Sequence, residues 1–152
     1  GAVGAVGGLA KLACVVTDFD GNPHLDRAAK SGTTFVAHAH GDNLPQWQDC
    51  LSKWRDFQHP PELILTHQVA ESIDGVYNFG GFTDGDRAVC LAIGLGVAKE
   101  NITLLGFSTS KIGKWSGQTN PKRKLAKLAW MLRVLQIIGL EEQVDTNAFE
   151  VL

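Results

Sequence analysis

Short apolar runs separated by polar or glycine-rich segments predict four β-strands along the chain. Each run is apolar nearly throughout rather than alternating with polar residues, which is typical of strands buried on both faces of a parallel sheet. The predicted strands cover residues 13–17, 33–37, Leu63–Thr66 and 102–107.

Segments with helical spacing of apolar residues lie between and after these runs. Asn22 and Asn43 stand where they can serve as N-caps of the first two helices, and Thr83 and Asp86 have near capping-box spacing before the third. The predicted helices cover residues 23–30, 44–56, 86–98 and 121–138.

The last predicted helix carries Pro121 in its first turn, and Gly139 fits as its C-cap. Because strands alternate with helices, we predict an α/β fold with three layers, α/β/α, and a mostly parallel, Rossmann-like sheet. The apolar stripe of the last helix is predicted to consist of Leu125, Leu128, Leu132 and Leu135.

Composition and charge exclude several classes of protein. The 152 residues suit one globular domain, and the net charge of -2 gives no general attraction to nucleic acid or to an anionic membrane. Cys14, Cys50 and Cys90 are widely spaced and form neither a zinc signature nor a disulfide framework, which favours reduced thiols. We therefore expect a soluble cytoplasmic protein that binds neither nucleic acid nor membrane.

Three acidic loops follow or closely neighbour predicted core elements. Asp18 and Asp20 end the first strand, Asp42 follows the second, and Asp84 and Asp86 lie where a glycine-rich loop enters a helix. Such pairs often serve only as turn formers and helix caps. Three of them in one α/β chain favour a shared Mg²⁺ and phosphate site, with Asp86 a weaker ligand candidate than the other four.

Phosphate groups require positive or backbone donors, and the chain offers both. The basic run over residues 122–133 is typical of a solvated helix face, whereas the polar loop over residues 108–120 directly follows a predicted strand. The candidate residues for binding the nucleotide phosphates are Gly80, Gly81, Thr83, Arg87, Lys111 and Lys114.

Histidines also stand at predicted strand ends. His38 and His40 have the spacing of a zinc pair, but no third soft ligand is evident nearby, which favours hydrogen bonds that shape the loop. His67 and Gln68 follow the third strand, where they could either contact a substrate or cap the strand end.

These motifs together resemble the archaeal 6-hydroxymethyl-7,8-dihydropterin pyrophosphokinase family. The resemblance covers nearly the whole chain in the family's order, and the string Asn-Phe-Gly-Gly-Phe-Thr-Asp-Gly-Asp-Arg-Ala is highly specific. The matching segments are residues 17–21, 39–43, 66–68, 78–88 and 113–116.

The resemblance implies a fold like the catalytic domain of thiamine pyrophosphokinases. It also implies transfer of diphosphate from ATP to the pterin hydroxymethyl oxygen, with Mg²⁺ and release of AMP, in tetrahydromethanopterin or folate biosynthesis. A carboxylate must accept the hydroxyl proton, and both Asp42 and Asp84 are candidates for this catalytic base. We expect residues 1–152 to form a single catalytic domain that lacks the family's N-terminal segment and is able to assemble into a homo-oligomer.

Two positions depart from the family pattern. Ser108 stands where the family often has Asp, and His67 replaces a threonine. A pyrophosphokinase that acts on thiamine and a noncatalytic nucleotide-binding module remain as alternative functions.

Overall fold

The computed structural model describes residues 12–111 and 120–146, which fall into two compact units. The first unit contains residues 12–78, and the second contains residues 79–111 and 120–146. Within these ranges, none of the helices has both the length and the apolar character that a bilayer span requires.

The first unit is built on a parallel sheet with the strand order β1-β2-β3. Its strands are β1 (Cys14–Thr17), β2 (Thr34–His38) and β3 (Leu63–Thr66). Thr17 is in register with Ala37, and His38 with Thr66, so all three strands end at one edge. The predicted α/β class with a parallel sheet is confirmed, and it is consistent with a three-layer fold.

Two helices of the first unit, α1 (His24–Lys30) and α2 (Leu44–Trp54), pack against one face of this sheet. Alternate strand residues such as Val15 and Phe35 supply the sheet side of the core. Trp54 at the end of α2 is 1% exposed, and its ring contacts that of Phe35. Trp54 Nε1 also donates to Asp26 Oδ1 at 2.7 Å, which ties α2 to α1.

The predicted capping role of Asn22 is wrong, and that of Asn43 is confirmed for its position only. Helix α1 is preceded by Pro23, and the Asn22 amide instead donates to Cys50 Sγ at 3.0 Å. Asn43 does occupy the N-cap position of α2, but its side chain makes no capping hydrogen bond. In both cases the amide bonds to a group distant from the helix end, and this tertiary contact replaces the local one.

The second unit contains α3 (Asp84–Gly94), a short 3₁₀ turn (Lys99–Asn101), α4 (Pro121–Ile138) and a second 3₁₀ turn (Glu141–Gln143). Its core joins α3 and α4 through buried aliphatic side chains. The members of this core are Val89, Leu104, Leu128, Met131, Leu135 and Leu140.

Helix α4 has the predicted bounds, and Gly139 caps it in the left-handed region at φ 82°. The predicted apolar stripe is only partly correct. Leu125 is 41% exposed, whereas Met131, which the stripe omitted, is buried beside Leu128 and Leu135. The buried face therefore follows the spacing of Leu128, Met131 and Leu135.

Helix α3 begins at Asp84 and ends at Gly94, so it starts and stops earlier than predicted. Thr83 is extended at φ -116° and forms the N-cap, and Gly96 beyond the end adopts φ 88°. The strand predicted over residues 102–107 is not formed, although this segment lies within the described range. Instead the Gln143 amide donates to Ile102 O at 3.0 Å and accepts from Leu104 N at 2.8 Å, as a neighbouring strand would.

Candidate functional site

The loop after β1 is held by a buried aromatic residue between two aspartates. Phe19 has φ 72°, which is rare for a residue with a side chain, and is 1% exposed. Its ring lies 5.4 Å from that of Trp47 and 5.6 Å from that of Trp54. This packing fixes the loop, and Asp20 on one side of Phe19 is exposed while Asp18 on the other is partly exposed.

His40 joins the loop after β2 to the loop after β1. Its Nε2 lies 3.3 Å from Asp18 Oδ2, and its Nδ1 forms an ion pair with the Asp42 carboxylate. Only the doubly protonated imidazole can donate to both carboxylates at once. The structure thus brings together the predicted residues Asp18 and Asp42 through a histidine for which the sequence suggested only a loop-shaping role.

The charge of Asp18 suits it to bind a cation. Partial burial raises its pKa, but hydrogen bonds from His40 and from the Asp20 backbone N–H outweigh burial, so the pKa lies below its ordinary value. Asp20 N donates to Asp18 Oδ1 at 3.3 Å. Since a carboxylate has about four lone-pair positions, acceptor capacity remains. Ionised oxygen donors on one loop fit the preference of Mg²⁺.

Asn43 connects the loop after β1 with the loop after β2 through side-chain hydrogen bonds. Its amide is buried and donates to Asp18 O at 3.0 Å and to His38 O at 2.7 Å, while its Oδ1 accepts from His40 N at 3.3 Å. The sequence predicted only helix capping for Asn43, and these three hydrogen bonds were not foreseen. The available signal was the position of an amide side chain directly after an acidic loop.

His38 forms a hydrogen bond between two strands at the sheet edge. Its Nδ1 lies 3.1 Å from Thr66 Oγ1, and that hydroxyl donates to Ala37 O at 3.2 Å. Because the hydroxyl has one hydrogen, His38 must donate from Nδ1. His38 thus forms a hydrogen bond, as predicted, and this bond fixes the end of β2 against β3.

In the second unit, the glycine-rich loop closes tightly on the first turn of α3. Gly80 and Gly81 have φ values of 87° and 91°, which favour glycine. A Cβ atom at Gly81 would lie 2.7 Å from the backbone of Arg87, so only glycine allows this approach. The glycine pair therefore has a structural purpose, and its role in phosphate binding remains a prediction.

Asp86 has a structural role at the start of α3. It is fully buried and accepts from Phe82 N at 2.6 Å, from Thr83 N at 2.7 Å and from the Thr83 hydroxyl. Thr83 and Asp86 form the predicted capping box. With both oxygens engaged and no exposure, the geometry favours a structural role for Asp86 over the metal-ligand role predicted from the sequence.

Arg87 and Asp84 differ from each other in the same turn. Arg87 is 8% exposed, and its Nη2 donates to Phe82 O at 3.3 Å, which braces the glycine-rich loop from inside. Asp84 is the first residue of α3 and is half-buried. The helix dipole stabilises a negative charge at that position. Asp84 is thus better placed for a ligand than Asp86.

The polar segment after residue 107 is held by hydrogen bonds to Asp145, a residue that was not among the sequence-predicted candidates. Asp145 accepts from Thr109 N at 3.2 Å, from Thr109 Oγ1 at 2.9 Å and from Ser110 Oγ at 3.2 Å. Lys111 in the same segment is exposed, and its backbone N–H donates to Ser108 Oγ at 3.1 Å. Lys114, the other predicted phosphate contact here, lies outside the described residues.

The chain is similar to archaeal proteins named 6-hydroxymethyl-7,8-dihydropterin pyrophosphokinase, which confirms the resemblance drawn from its motifs. It is 48% identical to the protein of Pyrococcus furiosus over 103 residues, which are 67% of this chain and 40% of that relative. It is 36% identical to the protein of Methanothermobacter thermautotrophicus over 99 residues, which are 64% of this chain and 39% of that relative.

A third relative with the same name, from Methanocaldococcus jannaschii, is 34% identical over 79 residues, or 51% of this chain and 32% of the relative. The chain therefore spans about two fifths or less of the length of the curated relatives it matches. No family model and no solved structure matches it.

Proposed function

We propose that this chain provides catalytic machinery for the transfer of diphosphate from ATP to 6-hydroxymethyl-7,8-dihydropterin, with release of AMP. The observation that carries the proposal is 48% identity over 103 residues to a protein with that name. Independent support comes from the paired carboxylates at the carboxyl edge of a parallel sheet, where α/β proteins bind ligands.

In this proposal Asp18 and Asp20 bind Mg²⁺ on the first unit. When bound, the ion would neutralise charge on the transferred phosphate groups. Asp18 is held by His40 and by the Asp20 backbone, so its carboxylate is oriented before the ion arrives. Asn43 fixes the backbone of the same loop through Asp18 O.

Asp42 and Asp84 are the proposed acceptors of the hydroxyl proton, with Asp84 also proposed as a Mg²⁺ ligand. The Asp42 side chain is 75% exposed and forms an ion pair with His40, which leaves oxygen lone pairs toward solvent. Asp84 stands in the first turn of α3, where the helix dipole keeps a carboxylate ionised.

Phosphate binding is assigned in the same proposal to the second unit. The glycine-rich loop with Gly80, Gly81 and Thr83 precedes the N-terminus of α3, a position that favours anions. Lys111 is exposed on a segment that Asp145 immobilises, and Lys114 continues that segment in sequence. Arg87 contributes by bracing the loop, because its guanidinium is buried.

The decisive experiment measures AMP formation from ATP and Mg²⁺ with the pterin alcohol or with thiamine as acceptor. We expect AMP only with the pterin. An Asp18→Asn variant, which keeps the side-chain volume, is the matched control and is expected to form none. AMP with thiamine alone would move the assignment to thiamine, and ATP binding without AMP for either acceptor would indicate a noncatalytic module.

The proposal leaves three further predictions in place. We predict from the sequence that the protein is cytoplasmic and forms a homo-oligomer. We also predict that its product is used in tetrahydromethanopterin or folate synthesis. The three cysteines are consistent with a reducing compartment, since all are free and burial raises the pKa of each thiol.

A further inference from the structure

His67 follows β3 directly and lies at the edge where all three strands end. Its backbone is anchored, because His67 N donates to Tyr77 O at 3.0 Å. Its side chain is 7% exposed, and Nδ1 is buried without a hydrogen-bond partner among the described residues. A buried ring nitrogen of this kind requires an explanation, because nearly all such atoms are paired in native proteins.

Nδ1 of His67 does not cap the strand end. A capping nitrogen would bond to a group at the strand end, as His38 Nδ1 does with the Thr66 hydroxyl. His67 makes no such bond from Nδ1. In either tautomer Nδ1 carries an N–H or a lone pair, so leaving it unpaired destabilises the folded protein. Retaining this arrangement makes sense where a ligand supplies the missing partner.

The chemistry of the edge indicates which ligand. Strand order places β3 two strands from β1, so His67 lies about 10 Å along the edge from the Asp18 loop. A molecule whose reacting end is at the metal would present its far end there. Tyr77, which pairs with Thr66 through a β-bridge, has 57% of its surface exposed at the same strand end. An exposed aromatic residue and a buried polar nitrogen at one strand end suit a planar heterocycle with polar edges.

We propose that His67 Nδ1 forms a hydrogen bond with the heterocyclic ring of the acceptor and thereby contributes to acceptor specificity. The inference rests on the proposed function, since it assumes that an acceptor heterocycle binds at this sheet edge. It assigns to His67 a binding role that is separate from the metal-binding carboxylates of Asp18 and Asp20.

The test compares three substitutions at one position. His67→Asn keeps a polar atom near Nδ1, His67→Gln places one near Nε2, and His67→Leu removes both. We expect His67→Leu to raise the KM for the pterin about tenfold with the KM for ATP unchanged. His67→Asn should stay closer to the wild type than His67→Gln. Equal rises in both KM values, or no rise in either, would overturn the proposal.

Thermal unfolding separates a binding role from a structural one. Because the wild-type nitrogen is unpaired, His67→Leu is expected to leave the melting temperature unchanged or to raise it. The ring would have a structural role if His67→Leu lowered the melting temperature and if neither His67→Asn nor His67→Gln had a KM for the pterin near that of the wild type. The wild-type protein alone tests the proposed function. If it forms no pterin-dependent AMP, the proposed function fails, and the proposal for His67 fails with it. If the wild type is active, the variants test His67 by itself.

Discussion

The chain contains the pattern Asp-x-Asp twice, and the two copies have different structural fates. Asp18 and Asp20 lie on a loop after a strand, where Asp20 is exposed and Asp18 is partly so. Asp84 and Asp86 lie in the first turn of α3, where Asp86 is fully buried as the partner of Thr83. Residues two apart do not share a face of a helix, so the second pair is divided between a half-buried and a buried position. Identical spacing therefore carries a paired site in one place and a cap in the other.

What holds each copy also differs. The first copy is fixed by side chains, because Phe19 is packed on two tryptophans and Asn43 and His40 bond to the loop. The second is fixed by backbone conformation, through two glycines and a capping box. Substitutions should therefore separate activity from stability differently in the two units.

The largest expected effect is on turnover, from Asp18→Asn. The change keeps the volume of the side chain but removes the negative charge that the proposed Mg²⁺ site requires, so we expect at least a hundredfold loss of AMP formation. The check is steady-state AMP production over a range of Mg²⁺ concentrations, with circular dichroism to establish folding. Near-normal turnover in a folded Asp18→Asn protein would remove Asp18 from the site.

The next largest effect is on stability, from Phe19→Ala. Removing a buried aromatic ring is expected to lower the free energy of unfolding by about 3–5 kcal/mol. Phe82→Ala is the matched control, because Phe82 is 43% exposed and should cost far less. Urea unfolding of both variants gives the comparison, and equal losses would mean that Phe19 does not anchor the acidic loop.

Asp86→Ala is expected to have a smaller effect than Phe19→Ala. Unlike Asp18→Asn, it should lower stability and leave the Mg²⁺ dependence of turnover unchanged. It leaves the partly buried N–H groups of Phe82 and Thr83 without their acceptor, which should lower the free energy of unfolding by about 1–3 kcal/mol. The Mg²⁺ dependence of turnover should not change in the folded fraction. A weakened Mg²⁺ response without loss of stability would instead make Asp86 a metal ligand.

The smallest effect is expected from Asp145→Asn, and it depends on pH. The Ser108 hydroxyl, followed by the Thr109 N–H and hydroxyl, lowers the pKa of Asp145 from 3.8 to about 2. The carboxylate therefore contributes stability above pH 3.8, and that contribution is lost as the pH falls through about 2. Melting temperatures of the two proteins should differ at pH 6 and converge toward pH 2. A difference that is as large at pH 2 as at pH 6 would exclude the charge as its cause.

Local patterns allowed most of the fold to be predicted from the sequence. The strand Leu63–Thr66 and the helix Pro121–Ile138 have the expected bounds because apolar runs, Pro121 and Gly139 mark their ends unambiguously. The strand predicted at residues 102–107 failed because an apolar run does not reveal whether another strand will pair with it.

The candidate site was predicted less completely, for a physical reason. Acid patterns such as Asp18-x-Asp20 are visible in sequence, but the groups that position them act across long separations. Asn43 reaches Asp18 O, and Asp145 reaches Thr109, through folded contacts that no local spacing encodes. Burial likewise decided that Asp86 serves the capping box, and burial is a property of the tertiary structure.

The amide of Gln143 has a consequence for the backbone at residues 102–104. The extended segment at residues 102–104 presents backbone groups to which a strand from another molecule could add. Gln143 occupies the Leu104 N–H and the Ile102 carbonyl with one planar group that has the donor and acceptor of a peptide unit. A single side chain thus occupies, on that side, the backbone groups that an added strand would require.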